Sequence, residues 1–253
     1  MKIARFSTEG GDPRFGIVDG TELVVLAGDP MFQGFETTEE RVSLGAVKLL
    51  APVIPRSKVV CIGKNYTEHA REMGGEAPDH PIIFLKPNTS VIGPGDTIVL
   101  PPDSNQVEHE AELAIVIGSV AKNVRPEDYA DVVFGYTVAN DVTARDIQKL
   151  DGQWTRAKGY DTFCPLGPII ETEFDWSDAR IEARVDGTVT QLGNIKDMIF
   201  SIPEIAAFVS RVFTLLPGDV ILTGTPAGVG PFVSGQTVEI SVDGIGTLSN
   251  LAR

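Results

Sequence analysis

Acidic residues alternate along the start of an apolar stretch that spans Glu108–Gly118. If this stretch is a strand, its alternate side chains share a face, so Glu108, Glu110 and Glu112 point one way and His109 points the other. Same-face neighbours in a strand are about 7 Å apart, and carboxylates that enter an apolar strand together repel one another and lose solvation. Either their pKa values rise or a cation compensates their charge. His109 is therefore left out of the candidate site.

Spacing alone also permits a strand end that emerges into water, where the same acids would simply be solvated. Glu108 is the weakest candidate because it lies furthest from the apolar run. A second acidic feature favours a cation site, since the strand-like run Val132–Ala139 ends in Asn140-Asp141 directly before a helix-forming segment. A helix cap would explain Asp141 or Thr143, but it would not explain the acid pair on a separate strand.

Glu110, Glu112 and Asp141 are therefore the predicted metal ligands. They offer carboxylate oxygens without a cysteine or histidine in the set, which suits a hard divalent ion better than zinc. The sequence predicts Mg²⁺ or Mn²⁺ and does not separate the two, because both accept carboxylate and water.

One histidine and one glutamate have a spacing that suits acid–base chemistry. His69 and Glu72 are three residues apart in a predicted helix, Thr67–Met73, so they share a face and can hydrogen-bond. A carboxylate that holds an imidazole in one tautomer prepares it as a general base. The spacing by itself favours an exposed pair without function, and Lys158 by itself is most simply a surface lysine.

Short strands are the elements that must position these residues. Apolar or β-branched runs bounded by Gly, Pro and Asp predict strands at Lys2–Phe6, Phe15–Val18, Leu23–Leu26, Val59–Ile62, Ile82–Leu85, Thr97–Leu100, Leu113–Ile117, Val132–Ala139, Ile169–Glu171 and Val220–Thr223. Asp-Gly turns predict two hairpins, within Ile181–Gln191 and Thr237–Leu248. The predicted helices are few: a short one near Arg41–Leu50, then Thr67–Met73, Ala144–Leu150, and Ile202–Leu215 with Ser201 as its cap. The pattern favours a β-dominated α+β fold over a doubly wound sheet.

Prolines indicate where the chain divides. Pro52 and Pro55 flank the start of the strand-rich region and predict a boundary near residue 53. We therefore expect a small β-rich N-terminal domain at 1–53 and a metal-dependent catalytic domain at 54–253.

The charge balance excludes some classes of partner. The chain has 35 acidic and 21 basic residues, a formal charge of −14, which argues against nucleic acid and does not favour an anionic membrane surface. The N-terminal residues lack the apolar core of a secretory signal, and no apolar run approaches the roughly 18 residues that cross a bilayer. Cys61 and Cys164 have no CxxC spacing, so we expect buried thiols rather than a disulfide, and a cytoplasmic protein.

Several blocks in consistent order over roughly 54–253 closely resemble the fumarylacetoacetate hydrolase family. They are Gly63-Lys64-Asn65-Tyr66 with His69 and Glu72, Phe84-Leu85-Lys86-Pro87, Glu110-Ala111-Glu112-Leu113, Asn140–Asp146 and Thr223–Gly230. The resemblance implies a mixed β-roll fold, a homodimer, and Mg²⁺ or Mn²⁺ on the three acids named above. It also implies that Lys158 lies beside the ion and substrate, that Arg145, Gln148 and Thr225 contact substrate oxygens, and that His69 and Glu72 lie on a lid, Asn65–Pro81.

The expected function is cleavage of a carbon–carbon bond in a small anionic 2-oxo-acid, either acylpyruvate hydrolysis or oxaloacetate decarboxylation, through a metal-stabilised enolate. Lys158 and Arg145 would supply the positive charge that lets an acidic protein bind a dianion. Two alternatives stay open: isomerisation of 2-hydroxyhepta-2,4-diene-1,7-dioate in aromatic catabolism, and a metal-binding scaffold without turnover. A scaffold would need neither His69 nor Glu72.

Overall fold

The computed structural model describes all of residues 1–253, which form mostly short strands. The strands are β1 Lys2–Ser7, β2 Arg14–Asp19, β3 Glu22–Leu26, β4 Thr37–Ser43, β5 Lys48–Leu50, β6 Val59–Gly63, β7 Ile82–Lys86, β8 Val91–Ile92, β9 Val107–His109, β10 Ala111–Ile117, β11 Val133–Asn140, β12 Thr143–Ala144, β13 Cys164–Glu171, β14 Arg180–Val185, β15 Thr188–Asn194, β16 Val220–Leu222, β17 Gly230–Pro231, β18 Thr237–Val242 and β19 Gly246–Leu251. The α-helices are α1 Pro30–Gln33, α2 Thr67–Glu72, α3 Arg145–Asp151, α4 Thr155–Gly159 and α5 Ile202–Val212. The predicted β-dominated α+β class is confirmed.

A large mixed sheet runs through the molecule in the order β4-β3-β2-β1-β13-β11-β10-β16-β6-β7, with β5 and β8 attached to β1 and β13. Most neighbours are antiparallel, whereas β16 and β6 run parallel. Strand β10 lies well inside the sheet, between β11 and β16. Any side chain at the start of β10 is therefore held by strands on both sides.

A second sheet, in the order β15-β14-β18-β19, supplies the other wall of the main core. Leu113, Ile115 and Ile117 of β10 belong to the larger core cluster, together with residues of the second sheet. The alternate residues Ala114 and Val116 belong to a smaller cluster on the opposite face. Strand β10 is thus buried on both faces, which agrees with its unbroken apolar sequence.

The N-terminal strands extend the main sheet. Lys2 and Ile3 of β1 pair with Glu171 and Ile170 of β13, so hydrogen bonding continues across the predicted boundary near residue 53. The division into two domains stays a prediction.

The helix predicted near Arg41–Leu50 is wrong. This segment completes β4, forms one 3₁₀ turn at Leu44–Ala46 and continues as β5. Strand β4 pairs with β3, and β5 pairs with β1. Cross-strand pairing therefore outweighed the helix-compatible composition of this segment, which is a tertiary effect that local propensity does not contain.

Other expectations differ in smaller ways. The predicted strand Thr97–Leu100 is reduced to one isolated bridge, from Ile98 to Ala252. Helix α5 ends earlier than predicted, at Val212, but begins with the predicted cap, and Ser201 forms a reciprocal capping box with Glu204. Both cysteines are buried and free, as expected. No helix has the length and apolarity to cross a membrane.

Candidate active site

The three predicted metal ligands meet where β10 begins and β11 ends. Ala111 and Asn140 are directly paired in the antiparallel ladder, so their neighbours Glu110 and Asp141 are brought together. The backbone N of Asp141 donates to the carbonyl of Glu110 at 2.9 Å, and the backbone N of Glu110 donates to Oδ1 of Asn140 at 3.1 Å. Glu112 shares the face of Glu110 because the two are separated by one residue.

The acids form one buried cluster. One carboxylate oxygen from each of Glu110, Glu112 and Asp141 lies within 4.8 Å of the others. Their exposed fractions are 3%, 1% and 0%. The alternative in which the strand end emerges into water is therefore wrong for these residues.

Three basic side chains surround the cluster. Lys158 Nζ donates to Oε2 of Glu110 and to Oδ2 of Asp141, both at 2.7 Å. Arg145 donates from Nη2 to Oε1 of Glu110 at 2.5 Å and from Nε to Oε2 of Glu108 at 2.7 Å. Lys86 Nζ donates to Oδ1 of Asp141 at 2.5 Å. Glu108 is thus buried, but it accepts a hydrogen bond from Arg145 and lies outside the acidic cluster. This agrees with the sequence analysis, in which Glu108 was the weakest candidate of the three glutamates.

The buried charges do not balance. Glu108, Glu110, Glu112 and Asp141 are four acids, whereas Lys86, Arg145 and Lys158 are three bases, so the fully ionised group carries one excess negative charge. The acid without a basic partner is Glu112, whose Oε2 accepts from the backbone N of Gly224 at 2.6 Å. A buried carboxylate that is not compensated is costly, so the donor set fits a divalent cation of the hard, oxygen-binding type.

The pKa values of the acids diverge for the same reason. Burial raises the pKa of Glu112, and repulsion from Asp141 and Glu110 raises it further. Burial also opposes ionisation of Glu110, but Lys158 and Arg145 outweigh it and hold the pKa of Glu110 below its usual range. Burial would lower the pKa of Lys158, yet Asp141 and Glu110 raise it overall, so this lysine stays charged.

The remaining predicted site residues line the same cavity, apart from Glu72. The cavity has a volume of about 200 Å³, and its wall includes Glu110, Glu112, Asp141, Lys158, His69, Arg145, Gln148 and Thr225. Glu72 lies behind His69, where its Oε2 is 3.1 Å from Nδ1 of the imidazole and its Oε1 accepts from the backbone N of Gly228 at 3.0 Å. The pair is therefore a contact, and His69 is buried rather than exposed.

The loop Thr223–Gly230 supplies Thr225 to the cavity and depends on close backbone contacts. Gly224 has φ +100°, and a Cβ there would lie 2.6 Å from Cβ of Asn65. Gly228 has φ +98°, and a Cβ there would lie 2.3 Å from the carbonyl oxygen of Thr190. Only glycine meets both requirements at these positions.

Sequence reasoning missed two buried polar residues at the site. Lys86 belongs to the block Phe84–Pro87 but was given no role. It lies two residues after Phe84, which lines the cavity, so the two side chains share one face of β7, and this spacing could have identified it. Gln191 joins His109, Ala111, Thr225 and Pro226 through its amide. It is distant in sequence from all of these residues, so no local pattern could identify it. His109 itself is buried outside the cavity, as its strand parity predicted.

Comparison with known proteins identifies the family. Residues 58–252 match the family model described as fumarylacetoacetate (FAA) hydrolase C-terminal, and residues 1–52 match the one described as Rv2993c-like, N-terminal. Protein Rv2993c of Mycobacterium tuberculosis is 52% identical over 99% of this chain and 97% of its own length. The oxaloacetate tautomerase YisK of Bacillus subtilis is 45% identical over 82% of this chain and 74% of its own length.

Solved structures agree in fold. A 5-carboxymethyl-2-hydroxymuconate delta-isomerase from Mycobacterium smegmatis has a TM-score of 0.92 and 47% identity, covering 100% of this chain and 99% of its own. A maleylpyruvate hydrolase from Sphingobium sp. SYK-6, in complex with manganese (II) ion and pyruvate, has a TM-score of 0.83 and 33% identity, covering 100% of this chain and 98% of its own. The chain therefore belongs to the fumarylacetoacetate hydrolase family, has its fold, and is an enzyme that acts on small organic acids.

Proposed function

We propose that this enzyme uses Mg²⁺ or Mn²⁺ to form the enolate of a small 2-oxo-acid, and that its reaction is the keto–enol interconversion of oxaloacetate. The observation that carries the proposal is the buried group of four acids and three bases, which has one excess negative charge when fully ionised and lies beside His69 at one small cavity. The likeness to an oxaloacetate tautomerase at 45% identity supports the choice of reaction.

Glu110, Glu112 and Asp141 would hold the ion. A divalent cation bound there would supply a Lewis acid for the oxygens of the substrate. The buried acid without a basic partner, Glu112, is the ligand whose charge most requires that cation. The related maleylpyruvate hydrolase with manganese (II) supports an ion of this type.

His69 is proposed as the acid–base residue. Its Nδ1 faces Glu72, which leaves Nε2 for the cavity that the ring lines. In the direction from ketone to enol, this nitrogen would take a proton from the carbon beside the ketone and deliver it to the enolate oxygen. In the reverse direction it would take the proton from the enol oxygen and deliver it to that carbon. Glu72 would fix the tautomer of the ring, while the backbone N of Gly228 fixes Glu72.

Lys158 and Arg145 are proposed to hold the anionic substrate. Both side chains are almost completely buried and line the cavity, so their charges are poorly screened. Fixed positive groups stabilise an oxyanion as its charge develops. Gln148 would be held toward the same region by Nη1 of Arg145, which donates to its Oε1 at 2.7 Å. A cavity of about 200 Å³ suits a short dicarboxylic acid.

Carbon–carbon cleavage is the second candidate, as oxaloacetate decarboxylation or acylpyruvate hydrolysis. It would use the same enolate, and hydrolysis would use His69 to activate water. The likeness to a maleylpyruvate hydrolase bound to pyruvate supports it. The isomerase alternative draws support from the hydroxymuconate isomerase at 47% identity. A homodimer stays part of the proposal, to be measured by light scattering in solution.

The deciding experiment supplies Mg²⁺ or Mn²⁺ at saturation and offers oxaloacetate, acetylpyruvate and 2-hydroxyhepta-2,4-diene-1,7-dioate. Enol loss from oxaloacetate without pyruvate release identifies a tautomerase, whereas stoichiometric pyruvate identifies cleavage. Glu110→Ala is expected to abolish the activity while retaining the fold. If none of the three compounds changes faster than in buffer containing the metal alone, the proposed function is wrong.

A further inference from the structure

The side-chain amide of Gln191 makes four hydrogen bonds inside the protein. Its Oε1 accepts from the backbone N of Ala111 at 2.9 Å and from Nδ1 of His109 at 3.0 Å. Its Nε2 donates to Oγ1 of Thr225 at 2.8 Å and to the carbonyl of Pro226 at 2.7 Å. Because a glutamine amide has two protons and two acceptor positions, this amide is fully used.

The neighbours fix which way the amide points. The backbone N of Ala111 can only donate, and the carbonyl of Pro226 can only accept. A reversed amide would place NH₂ against N–H and oxygen against oxygen, so Nε2 must face Thr225. The hydroxyl of Thr225 therefore accepts from Gln191, and its own proton remains free to donate.

The hydroxyl proton of Thr225 has no acceptor within the protein and can donate only into the cavity. Thr225 is 2% exposed, lines the cavity that contains the acidic cluster, and makes no other hydrogen bond within the protein. A buried hydroxyl proton without an acceptor is unfavourable. A ligand in the cavity with an acceptor oxygen would satisfy it.

We propose that Gln191 is a positioning residue that turns the hydroxyl of Thr225 into a hydrogen-bond donor for a carboxylate or 2-oxo oxygen of the substrate. The inference rests on the proposed function for its substrate class. Gln191 lies on β15 of the second sheet, while Ala111 separates the proposed ligands Glu110 and Glu112 on β10. One amide thus sets the position of the donor relative to the ion site.

The arrangement gives the site a chemical preference. A hydroxyl that must donate selects an acceptor at that position, so an acid should bind better than the matching primary amide when the amide nitrogen falls there. Thr225→Val keeps the shape and removes the donor. Gln191→Glu keeps the acceptor for Ala111 and His109 but makes the hydroxyl of Thr225 donate to the new carboxylate instead of the ligand.

The test measures binding of oxalate by calorimetry with Mg²⁺ saturating, and KM and kcat for oxaloacetate. Oxalate is a planar dianion that carries acceptor oxygens like those of a 2-oxo-acid enolate. Each single variant is expected to weaken oxalate binding and raise KM by about tenfold, with kcat less affected, because one hydrogen bond to a charged ligand is lost. The double variant, Thr225→Val with Gln191→Glu, should bind oxalate no more weakly than Thr225→Val alone. Thr225→Ser, which keeps the hydroxyl, should bind oxalate as the unaltered enzyme does.

The exposed Gln153 provides a charge-matched control, since Gln153→Glu adds the same charge outside the cavity and should leave binding unchanged. If Gln191→Glu weakens oxalate binding equally with threonine or valine at position 225, the effects are additive and the inference is wrong. Oxalate binding without turnover by the unaltered enzyme would overturn the proposed function, while the variant cycle would still decide the inference. Absence of oxalate binding by the unaltered enzyme overturns both.

Discussion

His69 and Glu72 show how one helix face and one loop together hold an imidazole at the wall of the cavity. Helix α2 places the two side chains three residues apart, and the backbone N of Gly228 then holds the outer carboxylate oxygen of Glu72. The imidazole is buried at the cavity wall, and its partner Glu72 is held on the side away from the cavity. A buried, oriented imidazole is what acid–base catalysis requires.

His69→Ala is expected to lower kcat by roughly 10²- to 10⁴-fold, the usual contribution of general acid–base catalysis. Glu72→Gln should cause a smaller loss, because the ring is retained while its orientation is less firmly held. Steady-state kinetics with oxaloacetate measure both. Glu68→Gln is the matched control, since Glu68 lies on the same helix with 72% of its side chain exposed. Equal losses in all three variants would contradict a specific role for His69.

Glu112 carries the charge that the surrounding residues compensate least. Burial and repulsion from Asp141 and Glu110 raise the pKa of Glu112 in the folded, metal-free protein. In the unfolded chain this glutamate loses its proton near its ordinary pKa of about 4.3, whereas the folded protein still keeps the proton at that pH. The folded state then binds more protons, so stability falls as pH rises above that value. Below the unfolded-state pKa, protonated Glu112 costs the folded state no stability. As the pH rises from that value toward the folded-state pKa, the free energy of unfolding decreases.

We therefore expect Glu112→Gln to remove a loss of up to about 1.4 kcal/mol per pH unit in the free energy of unfolding of the metal-free protein. Denaturant titrations in EDTA at several pH values above 4.5 measure it, as a difference between the unaltered protein and the variant. The same slope in both proteins would show that Glu112 is already ionised in the folded state.

At the scale of elements, the site exists because two antiparallel strands end together and one loop closes over them. Gly224 allows that closure, since its N–H donates to Glu112 and a side chain at this position would collide with Asn65. Asn65 in turn donates to the carbonyl of Thr223 at 2.8 Å. The loop is thus tied to the chain segment that precedes α2.

Gly224→Ala should destabilise the protein by about 1–3 kcal/mol through backbone strain, and by more through the close contact with Asn65. It should also weaken Mn²⁺ binding, because the donor to Glu112 is displaced. Gly187→Ala is the matched control, since Gly187 has φ +78° but nothing within 4 Å of the added Cβ. Thermal unfolding and Mn²⁺ titration separate the two effects. Equal Mn²⁺ affinity in both variants would show that the loop does not support the site.

The elements also explain how far the sequence could lead. The apolar run Leu113–Ile117 predicted the strand, and the alternation of side chains predicted the shared face of the acids before it, because both patterns are local. Helix α4, which carries Lys158, was not predicted from periodicity, since its five residues are too few to show a period. Only the resemblance to the family suggested that Lys158 lies beside the ion and the substrate. Gln191 required knowledge of how the second sheet packs on the first, and no local pattern contains that information.

For the whole molecule, charge is both a feature of the surface and a problem of the interior. The chain carries a formal charge of −14. Its buried group of four acids and three bases accounts for one of these uncompensated negative charges when fully ionised, in a place where solvent screens charge poorly. A divalent ion would reverse the sign of that group as a whole and create a positive cavity in an acidic protein. Binding of the ion and binding of an anionic substrate would thereby be coupled to one another and to folding.

Mg²⁺ or Mn²⁺ should therefore stabilise the folded protein in the absence of any substrate. At a concentration of about 100 times Kd, an ion that binds only the folded state adds about 2.7 kcal/mol, which for a chain of this length raises Tm by roughly 5–10 °C. Calorimetric unfolding in EDTA and in each metal measures the shift. Glu110→Gln should lose most of the shift. Glu173→Gln should retain it, because Glu173 is 81% exposed, pairs with the N-terminal ammonium group and does not line the cavity. An ion that binds only the folded state must stabilise that state. If saturating metal leaves Tm unchanged, the three acids therefore do not form an ion site.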